Sequence, residues 1–232
     1  MQVAPNIPPG TDSVDRAELA ELARLADFPL ANATLQGLGS YLELLMQWNR
    51  KMNLVGAQTW QTAFCELVAD CLHLSDFMRA LPLPAQPRTW DLGAGAGLPG
   101  IPLRLLWQEG SYCMIEAREK RALFLQNLLA SQPLPGVTVF QGRVEAFLRG
   151  RPPADCIISR AFMPWKAVLE LVESALAPAG LAVFMTNDPP STEMKCPQAS
   201  PWRLACSYSY LSGCAGRKKR IVRYFWAFSR AA

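Results

Sequence analysis

The sequence predicts an α/β protein: a Rossmann-like, mostly parallel sheet with an antiparallel C-terminal edge, behind a small helical N-terminal region. Three features carry the prediction. Apolar residues recur at helical spacing through the first part of the chain, and beyond residue 86 short β-type runs alternate with helical ones. A proline-rich connector, Leu81-Pro82-Leu83-Pro84-Ala85-Gln86-Pro87, suits neither helix nor strand and divides the chain into 1–85 and 86–232. Closely spaced glycines, Asp91-Leu92-Gly93-Ala94-Gly95-Ala96-Gly97-Leu98-Pro99-Gly100, stand at the first strand-to-helix turn of the second pattern.

In chain order, Leu19, Leu22 and Leu25 mark one helix. Leu35, Leu38, Leu42, Leu45, Trp48 and Met52 mark a second, and a third spans Thr62 to Arg79. Asn49 and Asn53, four apart, lie opposite Leu38, Leu42 and Leu45 and suit groups that cap the junction or fix the helical region against the sheet. Strands are expected at 88–92, 111–116, 136–140, 154–159 and 180–186, with helices at 100–108, 118–131, 144–149 and 164–176. Strands at 202–211 and 218–228 would close the sheet as an antiparallel pair. In such sheets ligands bind outside the carboxyl ends of the strands. The glycine cluster, Glu116, Gly142-Arg143-Val144-Glu145 and Ser159-Arg160-Ala161-Phe162 all fall at those ends.

Composition narrows the class. The 232 residues are 50% hydrophobic, enough for a sizeable core, and no run reaches the ~18 apolar residues of a membrane span. Met1 to Gly10 has neither a basic n-region nor an apolar h-region, so no secretory signal is expected and the location expected is cytoplasmic. The seven cysteines include no C-x-x-C pair; Cys65, Cys71, Cys113 and Cys156 lie in apolar runs and read as reduced core residues. A metal site at Cys196, Cys206 and Cys214 lacks a fourth ligand. His73, the one histidine, is expected on a helix surface, and its isolation argues against histidine-dependent triads. The net charge is +4, and Arg217, Lys218, Lys219, Arg220, Arg223 and Arg230 gather at the C-terminus among Tyr224, Phe225, Trp226 and Phe228. Basic residues among aromatics suit phosphate contact and base stacking, while the same segment also reads as an ordinary terminal strand.

The glycine loop speaks for a nucleoside cofactor. Glu116 follows roughly 20 residues beyond the glycines, where a carboxylate meets a ribose in such folds. Gly95 to Gly100 fits the dinucleotide pattern of NAD and FAD enzymes, but Asp91 sits two residues before the first glycine. A carboxylate suits an ammonium ligand or a loop anchor better than a pyrophosphate. Pro99 and Pro102 also remove two N–H donors that a phosphate cradle would use. S-adenosylmethionine, with an ammonium, a sulfonium and no phosphate, fits this loop better than NAD or FAD.

Several motifs together carry a family resemblance. Trp48-Asn49-Arg50-Lys51-Met52-Asn53-Leu54 is similar to the W-N-x-x-x-N-L signature of the RsmG (GidB) family, guanine-N7 methyltransferases of small-subunit (16S) ribosomal RNA. Asp91 to Leu103 resembles that family's cofactor loop. Glu116, Lys120-Arg121, Arg143-Val144-Glu145 and Ile158-Ser159-Arg160-Ala161-Phe162 resemble further family motifs, in the same order and spacing. The resemblance implies a class I S-adenosylmethionine-dependent methyltransferase. It implies cofactor contacts at Gly93 and Leu98, at Val144 and Glu145, and at Arg160, with Glu116 on the ribose hydroxyls. Asp91, Gly95 and Gly97 complete the expected cofactor set. Lys120, Arg121, Arg217, Lys218, Lys219 and Arg220 are the candidate RNA contacts, and the expected partner is the RNA or an assembling 30S particle met by a monomer. Two departures stand out. Glu66 and Leu67 replace the Arg-His of the family's R-H-x-x-D-S, which keeps Asp70, and Thr186-Asn187 replaces a Lys-Gly. Asn187-Asp188-Pro189-Pro190 lacks the aromatic of amino-methylating enzymes, since Ser191 follows, and reads as a turn.

Guanine N7 carries a lone pair and no proton, so transfer to it needs no general base; no catalytic acid, base or metal is assigned. A methyltransferase of proteins or small molecules would show a closed, acid- or aromatic-lined pocket. A non-enzymatic RNA-binding protein would keep only the relic of a cofactor fold.

Overall fold

The computed structural model describes residues 13–191, 201–216 and 219–230. Helix α1 (Arg16–Leu25) starts on Asp15, whose carboxylate accepts from the Ala17 and Glu18 N–H groups at 2.8 and 3.4 Å. Helix α2 (Asn32–Met52) ends on Asn53 in the left-handed region, φ 49°. One turn back, Asn49 accepts from Val55 N–H and donates to the Ala57 carbonyl, at 2.8 and 2.9 Å. The two asparagines therefore shape the turn after α2: Asn49 is buried within it and Asn53 caps it.

The expected third helix is a continuous helical run with an irregular centre. Helix α3 (Trp60–Ala63) passes into a π-helical turn, Phe64–Val68, and then into α4 (Ala69–Ala80). Helical periodicity alone does not reveal that turn, because a π-helical stretch of five residues is too short to be told from α-helix by pattern.

The sheet domain runs β1 (Arg88–Leu92), α5 (Gly100–Leu106), β2 (Ser111–Glu116), α6 (Glu119–Ser131), β3 (Val137–Gln141), α7 (Val144–Leu148), β4 (Ala154–Arg160), α8 (Trp165–Val172), β5 (Leu176–Thr186), β6 (Trp202–Ser212) and β7 (Ile221–Arg230). The strands lie in the order β3-β2-β1-β4-β5-β7-β6. All pairings among β1 to β5 are parallel, whereas β7 runs antiparallel to both β5 and β6. Strand β5 starts four residues before the expected 180, and α8 stops at Val172 before a short 3₁₀ turn. Register Thr186 to Tyr224 and Ser212 to Ile221 brings the β6–β7 hairpin to the carboxyl end of the sheet, the end that carries the glycine loop.

Two apolar layers sandwich the sheet. On one face α1, α2, α4, α5 and α6 bury Leu22, Leu42, Leu74, Leu103 and Phe124 over Tyr112, Ile158 and Phe225. On the other, α7 and α8 bury Phe147, Val168 and Leu169 over Trp90, Ile157 and Trp226. The helical region thus shares its core with the first face, and at ~25 cal/mol per Å² that burial dominates the attraction between them.

Two expectations are corrected. Cys65 is not a reduced core thiol: it is bonded to Cys214 across 149 residues, joining the π-turn to the β6–β7 hairpin. Apolar surroundings in sequence do not report a partner brought in by the sheet topology. Cys71, Cys113 and Cys156 are free thiols, and Cys206 is a fourth. His73 does not lie on an open surface. Its ring packs 4.9 Å from Tyr210 and 5.7 Å edge-on to Phe28, and burial lowers its pKa because the charged form loses hydration. Cys196 lies outside the described residues, and among those described no group of three His, Cys, Asp or Glu residues is placed to hold a metal. No described helix is long and apolar enough to cross a membrane.

Candidate cofactor site at the carboxyl rim

The site is built on the first crossover. Strand β1 ends at Leu92, and Gly93, Gly95 and Gly97 follow with φ of 71°, 58° and 80°. These left-handed values strain any residue with a Cβ. At Gly93 the need is double, since a Cβ there would lie 2.6 Å from the Phe162 ring. At Gly95 a Cβ would make only ordinary van der Waals contacts, 3.7 Å from the Gly93 carbonyl and 3.8 Å from Arg121 Nη1, so the left-handed φ alone calls for glycine there. The Gly93 and Ala94 N–H groups donate to the Ile115 carbonyl at 2.9 and 3.0 Å, which ties the loop to β2.

Glu116 closes the loop from the side. Its Oε2 accepts from Gly95 N–H at 2.9 Å and its Oε1 from Arg118 N–H at 2.8 Å. The residue is only 5% exposed, so each carboxylate oxygen has one backbone donor and lone-pair capacity left. Two hydroxyls of a ribose are the donors such a carboxylate lacks. No side chain caps the first turn of α7, where Val144 is buried and Glu145 exposed. The site therefore fits the nucleoside of S-adenosylmethionine: loop glycines without side chains, a buried acceptor pair and an uncapped helix turn share one rim.

Asp91 is buried near the end of β1 and bonded within the core. It is 1% exposed, and its Oδ2 accepts from the Tyr112 hydroxyl at 3.1 Å, with the Gly100 N–H also donating to the carboxylate. Burial pushes its pKa up to about 7, against the opposing effect of these hydrogen bonds. Leu98 is half-buried and packs against the first-face core.

Arg160 is also turned inward. Its Nη1 donates to the Leu67 carbonyl at 2.9 Å and lies 3.3 Å from Cys71 Sγ, while its Nη2 sits 3.6 Å from Asp70 Oδ2. Asp70 accepts as well from Ser212 Oγ at 2.6 Å and Arg223 Nη1 at 2.7 Å. Desolvation raises the Cys71 thiol to about 12, so this sulfur stays protonated in the cluster. Sequence reasoning missed these partners, and its one trace was the Asp70 left in an otherwise altered motif. It also missed Tyr41, whose hydroxyl donates 3.0 Å to the Ala96 carbonyl and pins α2 to the glycine loop.

The basic candidates divide. Lys120 is exposed on α6, and Arg121 Nη1 lies 3.8 Å from where a Gly95 Cβ would stand. Lys219 is exposed, but Arg220 is engaged by Asp27 at 2.6 Å and by the Leu211 carbonyl at 2.9 Å. Arg217 and Lys218 lie outside the described residues.

Strand order, glycine loop and β2 carboxylate define a class I S-adenosylmethionine-dependent methyltransferase fold. The crystal structure of a mutant of MtNAS in complex with S-adenosylmethionine shares that fold at TM-score 0.57 and 17% identity, covering 82% of this chain and 73% of that one. The family model of rRNA small subunit methyltransferase G matches residues 34–222. A ribosomal RNA small subunit methyltransferase G from Nitratidesulfovibrio vulgaris is 51% identical over 218 residues, 94% of this chain and 95% of its own. Another, from Lawsonia intracellularis, is 42% identical over 97% of this chain and all of its own. The chain belongs to the rRNA small subunit methyltransferase G family, and it is an S-adenosylmethionine-dependent methyltransferase.

Proposed function

We infer that this chain transfers the methyl group of S-adenosylmethionine to N7 of a guanine in small-subunit ribosomal RNA. Family membership supports the substrate, and the observation that carries the cofactor half is the buried Glu116 carboxylate bonded to the Gly95 N–H of the left-handed glycine loop. S-adenosylmethionine brings an electrophilic methyl on a sulfonium. Glu116 accepts the ribose hydroxyls, the backbone from Gly93 to Leu98 lies along the cofactor, and the first turn of α7 at Val144 and Glu145 meets the adenine edge. Guanine N7 has no proton to lose, so the protein's work is to align acceptor and methyl in line and to keep water out. No residue is assigned to proton transfer.

In this reading residues 1–85 wall the RNA side of the rim and 86–232 hold the cofactor. Lys120 and Arg121 beside the loop, with Lys219 on the hairpin, face the RNA phosphates, and the enzyme works as a cytoplasmic monomer. The test is mass mapping of methylated guanines in ribosomal RNA from cells with and without the chain. One N7-methylguanine present only with the chain is expected; identical maps would overturn the reading.

A further inference from the structure

Asp70, 1% exposed on α4, is shared by three groups from three strands: it accepts from Ser212 at the end of β6 and Arg223 on β7, and it pairs in charge with Arg160 at the end of β4, 3.6 Å away. A lone buried carboxylate is costly, so two guanidinium groups and a hydroxyl stabilise it here. Of these, Arg160 leads directly into the cofactor site. The next residue, Ala161, has φ 51°, a left-handed value that a residue with a Cβ keeps only when its surroundings over-determine it. After it comes Phe162, whose ring lies over Gly93 where a Cβ would otherwise stand. The π-turn contributes at the same point, because it presents the Leu67 carbonyl to the second arm of the Arg160 fork.

We propose that Asp70 is a positioning residue for the cofactor site, acting through Arg160 to hold the Ala161–Phe162 turn against the glycine loop. It is almost wholly enclosed, so it acts through the side chains it holds and not by contact with a ligand. The proposal rests on the function inferred above, and it adds that the helical region sets cofactor affinity through one carboxylate.

The decisive experiment is a double-mutant cycle on S-adenosylmethionine affinity, measured by calorimetry with the full chain. Asp70→Asn keeps size and an acceptor for Ser212 but removes the charge that holds Arg160. It should weaken binding on the order of tenfold, as loss of a supporting partner does at other oriented sites. On a Phe162→Ala background, where the turn no longer covers Gly93, the same substitution should cost less than about threefold. Additive effects, or unchanged affinity with only a lowered melting temperature, would overturn the proposal. If Asp70→Asn does not fold, Arg160→Lys, which keeps the charge and loses the fork, takes its place in the cycle with the same two outcomes. Failure of the wild-type chain to bind S-adenosylmethionine would instead overturn the inferred function.

Discussion

Arg104 and Arg160 are both withdrawn from solvent at opposite ends of one sheet, and their partners differ in kind. Arg104, fully buried in the last turn of α5, donates to the carbonyls of Gln108, Glu109, Gly110 and Pro135 at 2.7 to 3.2 Å. The rings of Trp107 and Tyr112 flank it at 5.5 and 5.6 Å. These carbonyls belong to the loops entering β2 and β3, so this arginine ties the amino end of the sheet with backbone dipoles. Arg160, at the carboxyl end, has one backbone acceptor, the Leu67 carbonyl, and its charge is met by a side-chain carboxylate that other strands also use. Backbone carbonyls hold a guanidinium in a fixed shell, whereas a shared carboxylate couples whatever else it binds. The first arrangement belongs to the scaffold and the second to the working rim.

The largest expected effect lies at the scaffold end. Arg104→Met should lower unfolding free energy by about 4 kcal/mol, since buried acceptors left without donors cost ~1–3 kcal/mol each and entering water meets part of that. Chemical denaturation reads this. Cofactor affinity of the fraction still folded should stay within about threefold of wild type, given the distance in structure from the rim; a large loss would erase the distinction between the two ends. The next effect is at the rim. Gly93→Val meets both the left-handed φ and the Phe162 ring, and should weaken S-adenosylmethionine binding by at least ~100-fold, about 2.7 kcal/mol, in calorimetry.

The same contrast explains what the sequence disclosed. The rim motifs are local: glycines at a strand end, an acid one strand later and Ser159 to Phe162 at another strand end each declare their geometry within a few residues. The parallel sheet and its antiparallel C-terminal edge followed from the alternating pattern for the same reason, whereas the order of its strands did not. Arg104 was silent because it sits in an apolar helix and its acceptors are backbone groups, which any residue type supplies. Two partners of Asp70, Ser212 and Arg223, were silent because they lie 142 and 153 positions away in sequence, brought close only when β7 inserts between β5 and β6. The Cys65–Cys214 bond and the aromatic packing of His73 depend on the same hairpin meeting α4 and the π-turn.

Asp91 offers a pH-dependent measure of how tightly the rim is packed. Its folded pKa, about 7, lies above the ordinary carboxyl value of 3.8, with burial as the main cause. The folded state therefore holds this proton more tightly than the unfolded state. The group's contribution to stability is greatest below about pH 4, falls as pH rises through about 7, and is level above that. Asp91→Asn, which keeps an acceptor for the Tyr112 hydroxyl, removes the titration. Its melting temperature relative to wild type should rise between pH 4 and 7 and then stay constant. A constant difference across that range would show that the carboxylate is not desolvated and that the loop above it is open to water.

The smallest effect separates two ways in which the rim meets RNA. Each phosphate contact contributes roughly 0.7 to 0.9 to the slope of log affinity against log salt, between single strands and duplex. Arg220 is left in place, because it is paired with Asp27 and with the Leu211 carbonyl, and reversing it would break those contacts as well as change the charge. Charge reversal of Arg217, Lys218 and Lys219 on one chain, and of Lys120 and Arg121 on another, therefore gives two clean variants. If the hairpin docks on phosphates, the first variant flattens the slope by about one contact or more, while S-adenosylmethionine affinity is unchanged because the hairpin lies beyond β4 and β5 from the glycine loop. The second variant should flatten the slope and also alter cofactor affinity, since Arg121 stands beside Gly95. A slope that responds only to Lys120 and Arg121 would confine RNA contact to the cofactor side of the rim and leave the hairpin's charges as a solvated strand entry.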